Sequence, residues 1–363
     1  MPTEAYGYLL LLISAEALFG SVISYPQIKD LLLKQMVRLT ELGRTLMLFL
    51  LSLPVLYATA YLYFDSHAPA ISIAAAVGFF AAAQVLLYML RIIDVRSYNS
   101  AKIQAAVLST VAFFLLLSQE PLLLPVVSAI YTSILLMHFF RLHNARLSLL
   151  WREFELRRTV GNWSTFGTQS LIVNLGQYGN RYAIGIVLSL TDVAVFTVSY
   201  MVAGGVTFYF AAIMVYFEKG MSKEIRVGEL SDRLKKSSTV TMYLLCGLAC
   251  YSAIILSTLT LIPFSFMTNL LNSLDLRILL VFLVFFGLQA VYLCLNPIVI
   301  ALGKRNSSLL ASFLSLFAQF LFIVLFYEKL TLMHVAFAML TGQATLVLSL
   351  ILSCWRETQW RPY

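Results

Sequence analysis

Apolar runs of about twenty residues recur from one end of this chain to the other. They fall near 5–24, 45–64, 70–93, 99–118, 121–141, 164–189, 193–217, 238–262, 277–302, 307–327 and 332–353, with Lys, Arg, Asp and Glu concentrated between them. A run of that length, apolar on every face, matches a helix crossing the hydrocarbon core, where backbone polar groups must bond within their own segment. The pattern predicts an all-α polytopic membrane protein of about eleven transmembrane helices. The longest connections, 25–44, 142–163, 218–237 and 263–276, leave no room for a soluble domain. The charged stretch "RLHNARLSLLWREFELRRTVGNW" separates five spans from six. It divides the chain into an N-terminal bundle (1–141), a cytoplasmic linker (142–163) and a C-terminal bundle (164–363). The segment "PQIKDLLLKQMVRLTELGR" mixes apolar and basic residues and reads as an interfacial helix or as a cytoplasmic extension of a span.

Composition supports this picture, and charge orients it. The chain is 60% hydrophobic and 12% charged, against about 45–50% and about 25% for soluble domains. Lys and Arg number four in 25–44, three in 91–102, five in 141–158, six in 219–236, two at 304–305 and two after 353. The alternate connections carry only Arg277 and Lys329. The basic side is cytoplasmic by the positive-inside rule, which places the C-terminus inside and the N-terminus outside. The net charge of +8 is therefore an orientation signal that complements the membrane surface. Spread over six short connections, it forms no basic face for nucleic acid.

Polar residues inside spans are the candidate chemistry. Arg181 stands within a predicted span with no acidic residue in the ten positions on either side. A charge at mid-membrane costs roughly 2.5–3.5 kcal/mol on insertion scales and is expected to face protein or water. On a helix of 3.6 residues per turn, Ser170, Asn174, Gln177 and Arg181 form one stripe, with Tyr178 beside it. That stripe either lines a cavity or is satisfied within a packed bundle while Arg181 snorkels to the outer headgroups, about 12 Å away along the helix. Gln289, Tyr292 and Asn296 form a second stripe before Pro297, which reads as a kink with satisfied amides or as a substrate contact. Gln84, Tyr88 and Arg91 form a similar row ending in a cytoplasmic anchor. Glu16 is the acidic residue placed well inside a span; it either titrates, pairs with a cation or is neutral and hydrogen-bonded.

Other residues suggest little chemistry. His138 and His334 lie near span ends. The four cysteines, Cys246, Cys250, Cys294 and Cys354, fall in spans without a metal-ligand set around them, so neither a metal site nor a cofactor is expected. The acceptor patterns at Asn162 and Asn306 lie on the predicted inside and read as chance matches. There is no Gly-rich phosphate loop, nucleophile elbow or pair of outer-loop carboxylates, which argues against an enzyme.

Two stretches resemble one another: "TEAYGYLLLL" at the first helix and "TDVAVFTVSY" at the seventh are each an acidic-flanked turn entering an aromatic-rich helix. Repeated halves are common in transporters. At these residues a family resemblance enters. "NRYAIGIVLSLTDVAVFTVSYMVA" (180–203) resembles the central motif of the polysaccharide-repeat-unit flippases, the O-antigen branch of the multidrug and oligosaccharidyl-lipid exporter superfamily. Arg181 matches the motif's arginine, Val193 its valine and Val198 an apolar position. Thr197 stands for the usual serine, Asn180 for the frequent aspartate, and Ala194 and Phe196 for the usual glycine and tyrosine. "LNPIVIALGKRNSSLLASF" (295–313) resembles the family's late helix and its cytoplasmic Gly-Lys turn. The chain begins where the turn after the family's first helix belongs. This suggests an N-terminus shortened by start-site assignment or by a lesion, which translation of the upstream DNA would check.

The resemblance implies a transporter of two pseudo-repeated bundles, five helices and six, around a partly cationic cavity in the inner, cytoplasmic membrane. It would flip a polyprenyl-pyrophosphate-linked oligosaccharide by alternating access for O-antigen, lipopolysaccharide or capsule biosynthesis. Its partners would be membrane lipids, the lipid-linked oligosaccharide and glycan polymerase machinery. Arg181 would meet the pyrophosphate; Ser170, Asn174, Gln177, Tyr178 and Asn180 would meet sugar hydroxyls, and Glu16 would be the ion-coupling candidate. The alternatives are a drug or metabolite exporter of the same superfamily, a membrane-embedded glycan polymerase or acyltransferase, and an inactive remnant.

Overall fold

A computed structural model describes residues 3–34, 39–115, 120–143, 167–221, 229–261 and 274–359. The linker 142–163 therefore lies almost entirely outside the described residues, as do the acceptor pattern at Asn162 and most of the connection 263–276. The described chain is all-helical. It comprises α1 (Thr3–Lys34), α2 (Leu39–Phe64), α3 (His67–Ile93), α4 (Val95–Leu115), α5 (Glu120–His143), α6 (Thr168–Asn174), a π-turn (Leu175–Gly179) and α7 (Asn180–Val187). There follow α8 (Leu190–Gly204), α9 (Thr207–Met221), α10 (Glu229–Leu261), α11 (Leu276–Ala301), α12 (Arg305–Leu325) and α13 (Leu332–Gln359). Nine candidate spans are found among the described residues, and the chain is a multi-pass membrane protein. The predicted spans at 99–118 and 164–189 coincide with α4 and with the α6–π–α7 stretch, which are helical but do not qualify as candidate spans. Arg96, Asn99, Lys102 and Gln104 make the start of α4 polar. A π-turn divides the other stretch into short helices.

Two compact units emerge from the contacts. One is Leu11–Asn174; the other joins Met1–Leu10 to Leu175–Tyr363. The sequence-based division groups 1–141 and 164–363 instead.

In the Leu11–Asn174 unit α3 is the central helix. It buries Ala70, Ala74, Ala76, Ala81, Ala82 and Ala83, small residues that let helix backbones approach where no water drives them together. α1 runs unbroken to Lys34, so the segment after Tyr25 begins as a helix extension. α4 starts at Asp94, whose carboxylate accepts from the Ser97 hydroxyl at 2.6 Å and from the Ser97 and Arg96 amides. The Ser97 hydroxyl, then the two amides, hold that carboxyl below its ordinary value. Counting along the sequence places Arg44 in a cytoplasmic connection. It is instead buried in the first turns of α2, paired with Glu41 at 2.7 Å.

In the other unit, caps fix the helix starts. Ser189 accepts from the Asp192 amide and donates to its carboxylate, a capping pair that satisfies donors left open at an N-terminus. Asp275 caps α11 through the amides of Arg277 and Ile278. α11 continues through Pro297 to Ala301. The turn into α12 passes through Gly303 at φ +76, a conformation that penalises any Cβ. The predicted span 193–217 is broken at Gly205 and Val206 into α8 and α9.

Candidate functional site

The stretch from Thr168 to Val187 presents the Arg181 site. Its centre, Leu175–Gly179, is a π-turn, which accommodates about one extra residue. The π-turn interrupts the 3.6-residue repeat on which the stripe of Ser170, Asn174, Gln177 and Arg181 is drawn. Ser170 and Asn174 make their own local pair: the Asn174 amide donates to the Ser170 carbonyl at 2.7 Å and to its hydroxyl at 3.0 Å. The Ser170 hydroxyl donates to the Ser21 carbonyl at 3.3 Å. Gln177 is half-buried and makes no hydrogen bond among the described residues.

Past the π-turn three of the sequence-predicted residues come together. The Asn180 amide donates to the Gly176 carbonyl at 2.6 Å, within the turn, and to Gln319 Oε1 at 3.1 Å. Gln319, on α12, is itself buried. It fits because Gly176 and Gly342 lack side chains: a Cβ at Gly176 would lie 2.9 Å from Gln319 Nε2, and one at Gly342 would overlap the Gln319 chain. The next residue, Arg181, is only 4% exposed. Its guanidinium lies 5.1 Å from the ring centroids of both Tyr178 and Tyr200. Tyr200 is set in turn by edge contact with Phe282 at 5.1 Å and by Phe286 at 5.3 Å. A desolvated cation over an aromatic face gains about 2 kcal/mol. Two such faces are comparable to the roughly 2.5–3.5 kcal/mol that a charge costs within a span. The two rings thus offset part of the cost of burying this cation.

The second polar stripe pairs helices with one another. Gln289 Oε1 accepts from Gln343 on α13 at 2.8 Å, Asn296 Oδ1 accepts from Ser308 on α12 at 2.8 Å, and Tyr292 is buried. In the Leu11–Asn174 unit, Glu16 is buried on α1 and accepts from the Ser128 hydroxyl of α5. Arg91 lies over the Tyr88 ring at 5.6 Å. His138 meets Gln104 at 2.7 Å, and His334 stacks on Phe326. Cys246 and Cys250 are exposed, whereas Cys294 and Cys354 are buried.

Sequence reading misses Tyr200, Gln319 and Ser128. Gln319 carries a signal: a lone amide in an otherwise apolar helix must find a partner in the membrane. Tyr200 sits in the quoted motif, but its ring contacts depend on α11, more than eighty positions away.

The fold is that of the MATE-like transporters, with two helical bundles. The chain is similar to a multidrug resistance MATE family transporter of the MOP superfamily in an outward-facing conformation. That match has a TM-score of 0.62 at 15% identity, covering 99% of this chain and 89% of that one. It is similar to the MATE multidrug transporter DinF-BH in a ligand complex, with TM-score 0.59, 15% identity and coverage of 99% and 86%. It is also similar to the lipid II flippase MurJ in an inward closed conformation, with TM-score 0.54, 12% identity and coverage of 97% and 81%. No family model matches the sequence, and no curated protein matches it.

Proposed function

We propose that this chain is a transporter that flips a polyprenyl-pyrophosphate-linked oligosaccharide repeat unit across the cytoplasmic membrane, by alternating access, for surface polysaccharide assembly. The observation that carries this reading is the buried Arg181 guanidinium between Tyr178 and Tyr200. A pyrophosphate entering a low-dielectric site needs a fixed cation, and arginine offers a planar fork that remains charged. The likeness to a lipid II flippase and to multidrug transporters fits a fold that moves amphipathic cargo. Glu16, buried under the Ser128 hydroxyl, is the proposed ion-coupling carboxylate. Asn180 engages both its amide protons in the fold and, standing where the resembled motif has aspartate, brings no titratable carboxylate to the coupling.

The test is complementation in a strain whose surface glycan depends on this gene. Arg181→Ala is expected to lower surface glycan by roughly tenfold or more, and Arg181→Lys to restore part of it, as a point charge without the fork. Normal glycan with Arg181→Ala at equal protein levels would sink the reading. The competing reading is a cationic-drug exporter, favoured by the buried Glu16 carboxylate. It predicts drug sensitivity on deletion, with surface glycan unchanged.

A further inference from the structure

A cavity of about 220 Å³ opens between α3, α4 and α5, lined by Phe80, Ala83, Gln84, Ser109, Val127, Ser128 and Tyr131. Three of its polar side chains are unused. The Ser109 hydroxyl is buried without a hydrogen-bond partner among the described residues. The side chains of Gln84 and Tyr131 make no hydrogen bond among the described residues. A fourth, Ser128, spends its proton on Glu16 and so turns only lone pairs toward the cavity. The wall is built rather than accidental. Phe80 packs where Gly20 has no side chain, since a Cβ there would overlap the ring. The Thr132 hydroxyl lies 2.8 Å from the Phe79 carbonyl and 2.7 Å from that of Ser128, tying α5 to α3 beside the cavity.

These groups select a ligand class. The lining carries no charged side chain, and the nearby carboxylate of Glu16 is buried and covered by Ser128. An organic cation or a metal ion would be denied the direct contact that holds it. A lipid chain would leave the unpaired polar groups buried, at about 1–3 kcal/mol each. A ring of vicinal hydroxyls meets the pattern: each hydroxyl both donates and accepts. Ser109, Gln84 and Tyr131 can do either, Ser128 accepts, and the faces of Phe80 and Tyr131 suit the C–H side of the ring. The volume is below the ~300–1,000 Å³ of pockets for drug-sized ligands, which suits one ring and not an oligosaccharide.

We propose that this cavity is a saccharide subsite that takes a single neutral sugar ring of the transported glycan. This rests on the flippase reading for its cargo but not on Arg181 for its chemistry. The test uses the full chain, purified, with the four native cysteines replaced and Ser109→Cys introduced. A small methanethiosulfonate reagent labels the new thiol in the presence of methyl glycosides of hexoses, 6-deoxyhexoses and N-acetylhexosamines, of tetramethylammonium, or of inorganic pyrophosphate. At least one glycoside is expected to slow labelling about threefold at about twice its Kd, and Gln84→Leu is expected to abolish that protection. Tetramethylammonium and pyrophosphate are expected to leave labelling unchanged. Protection by tetramethylammonium alone, or by nothing in the panel, overturns the proposal. Ala83→Cys replaces Ser109→Cys if the latter does not fold. The glycosides carry no phosphate, so the two readings fail separately. Protection together with a fully active Arg181→Ala strain would keep the subsite and sink the pyrophosphate site. No protection together with an inactive Arg181→Ala strain would sink the subsite alone.

Discussion

At the scale of single residues, Asn180 and Gln319 show how much of the site depends on neutral amides. The Asn180 amide has two acceptors, the Gly176 carbonyl and Gln319 Oε1, and it immediately precedes Arg181. The pair therefore braces the π-turn that aims the guanidinium. Interhelical side-chain hydrogen bonds in membranes contribute about 0.6 kcal/mol on average and up to about 1.7. Gln319→Leu should cost about 1 kcal/mol in detergent unfolding. In a double-mutant cycle with Asn180→Leu the coupling should be at least about 0.5 kcal/mol. Strict additivity would show that the bond contributes nothing. Gly342→Ala should act in the same direction, because its Cβ would displace Gln319. Sequence alone marked Asn180 by its motif position, but its partner lies 139 positions away. Pairing at that range is set by packing, which periodicity does not encode.

At the scale of elements, helix existence was legible and helix defects were not. Apolar runs located the spans, and the Ser189–Asp192 cap agrees with the acidic-flanked turn that opens α8. The π-turn at Leu175–Gly179 was hidden because a stripe drawn at 100° per residue assumes the α repeat that the turn violates. The break between α8 and α9 did leave a trace, the Gly204–Gly205 pair. There the Tyr251 hydroxyl of α10 donates to the Val202 carbonyl at 2.6 Å, seated against Gly205. At the break the Val202 carbonyl accepts the Gly205 amide only at 3.4 Å, and with no water to turn to in the membrane it takes the Tyr251 hydroxyl as a second, closer donor. Tyr251→Phe should cost about 1 kcal/mol. Gly205→Ala should cost more, because its Cβ would overlap the Tyr251 hydroxyl. Removing that oxygen relieves the overlap and leaves only the 2.9 Å approach to Cζ. The double variant should therefore unfold at a higher temperature in detergent than Gly205→Ala alone. An unchanged or lower Tm would show that the phenol does not pin the break.

At the scale of the whole molecule, the fold is kept at 12% to 16% identity to the solved transporters, so it resides in pattern more than in particular side chains. Span length, apolar faces and the segregation of charge are that pattern, and all three could be read from one sequence. Of the 25 Lys and Arg, sequence counting places 22 in alternate connections on one side, and moving Arg44 into α2 leaves intact a bias that sets membrane orientation. It assigns the α2–α3 turn and the α12–α13 turn to the outside and the α3–α4 turn to the cytoplasm. Ala68, Tyr327 and Arg96 are exposed in or next to these turns, so a cysteine at each reports sidedness without disturbing packing. In intact cells, with the native cysteines replaced, a membrane-impermeant thiol reagent should label Ala68→Cys and Tyr327→Cys. Arg96→Cys should label only after the membrane is opened. Labelling of Arg96→Cys from outside, with the other two protected, would invert the chain. The leaflet from which the proposed cargo enters depends on that orientation, because the fold is compatible with either and the basic connections alone select one.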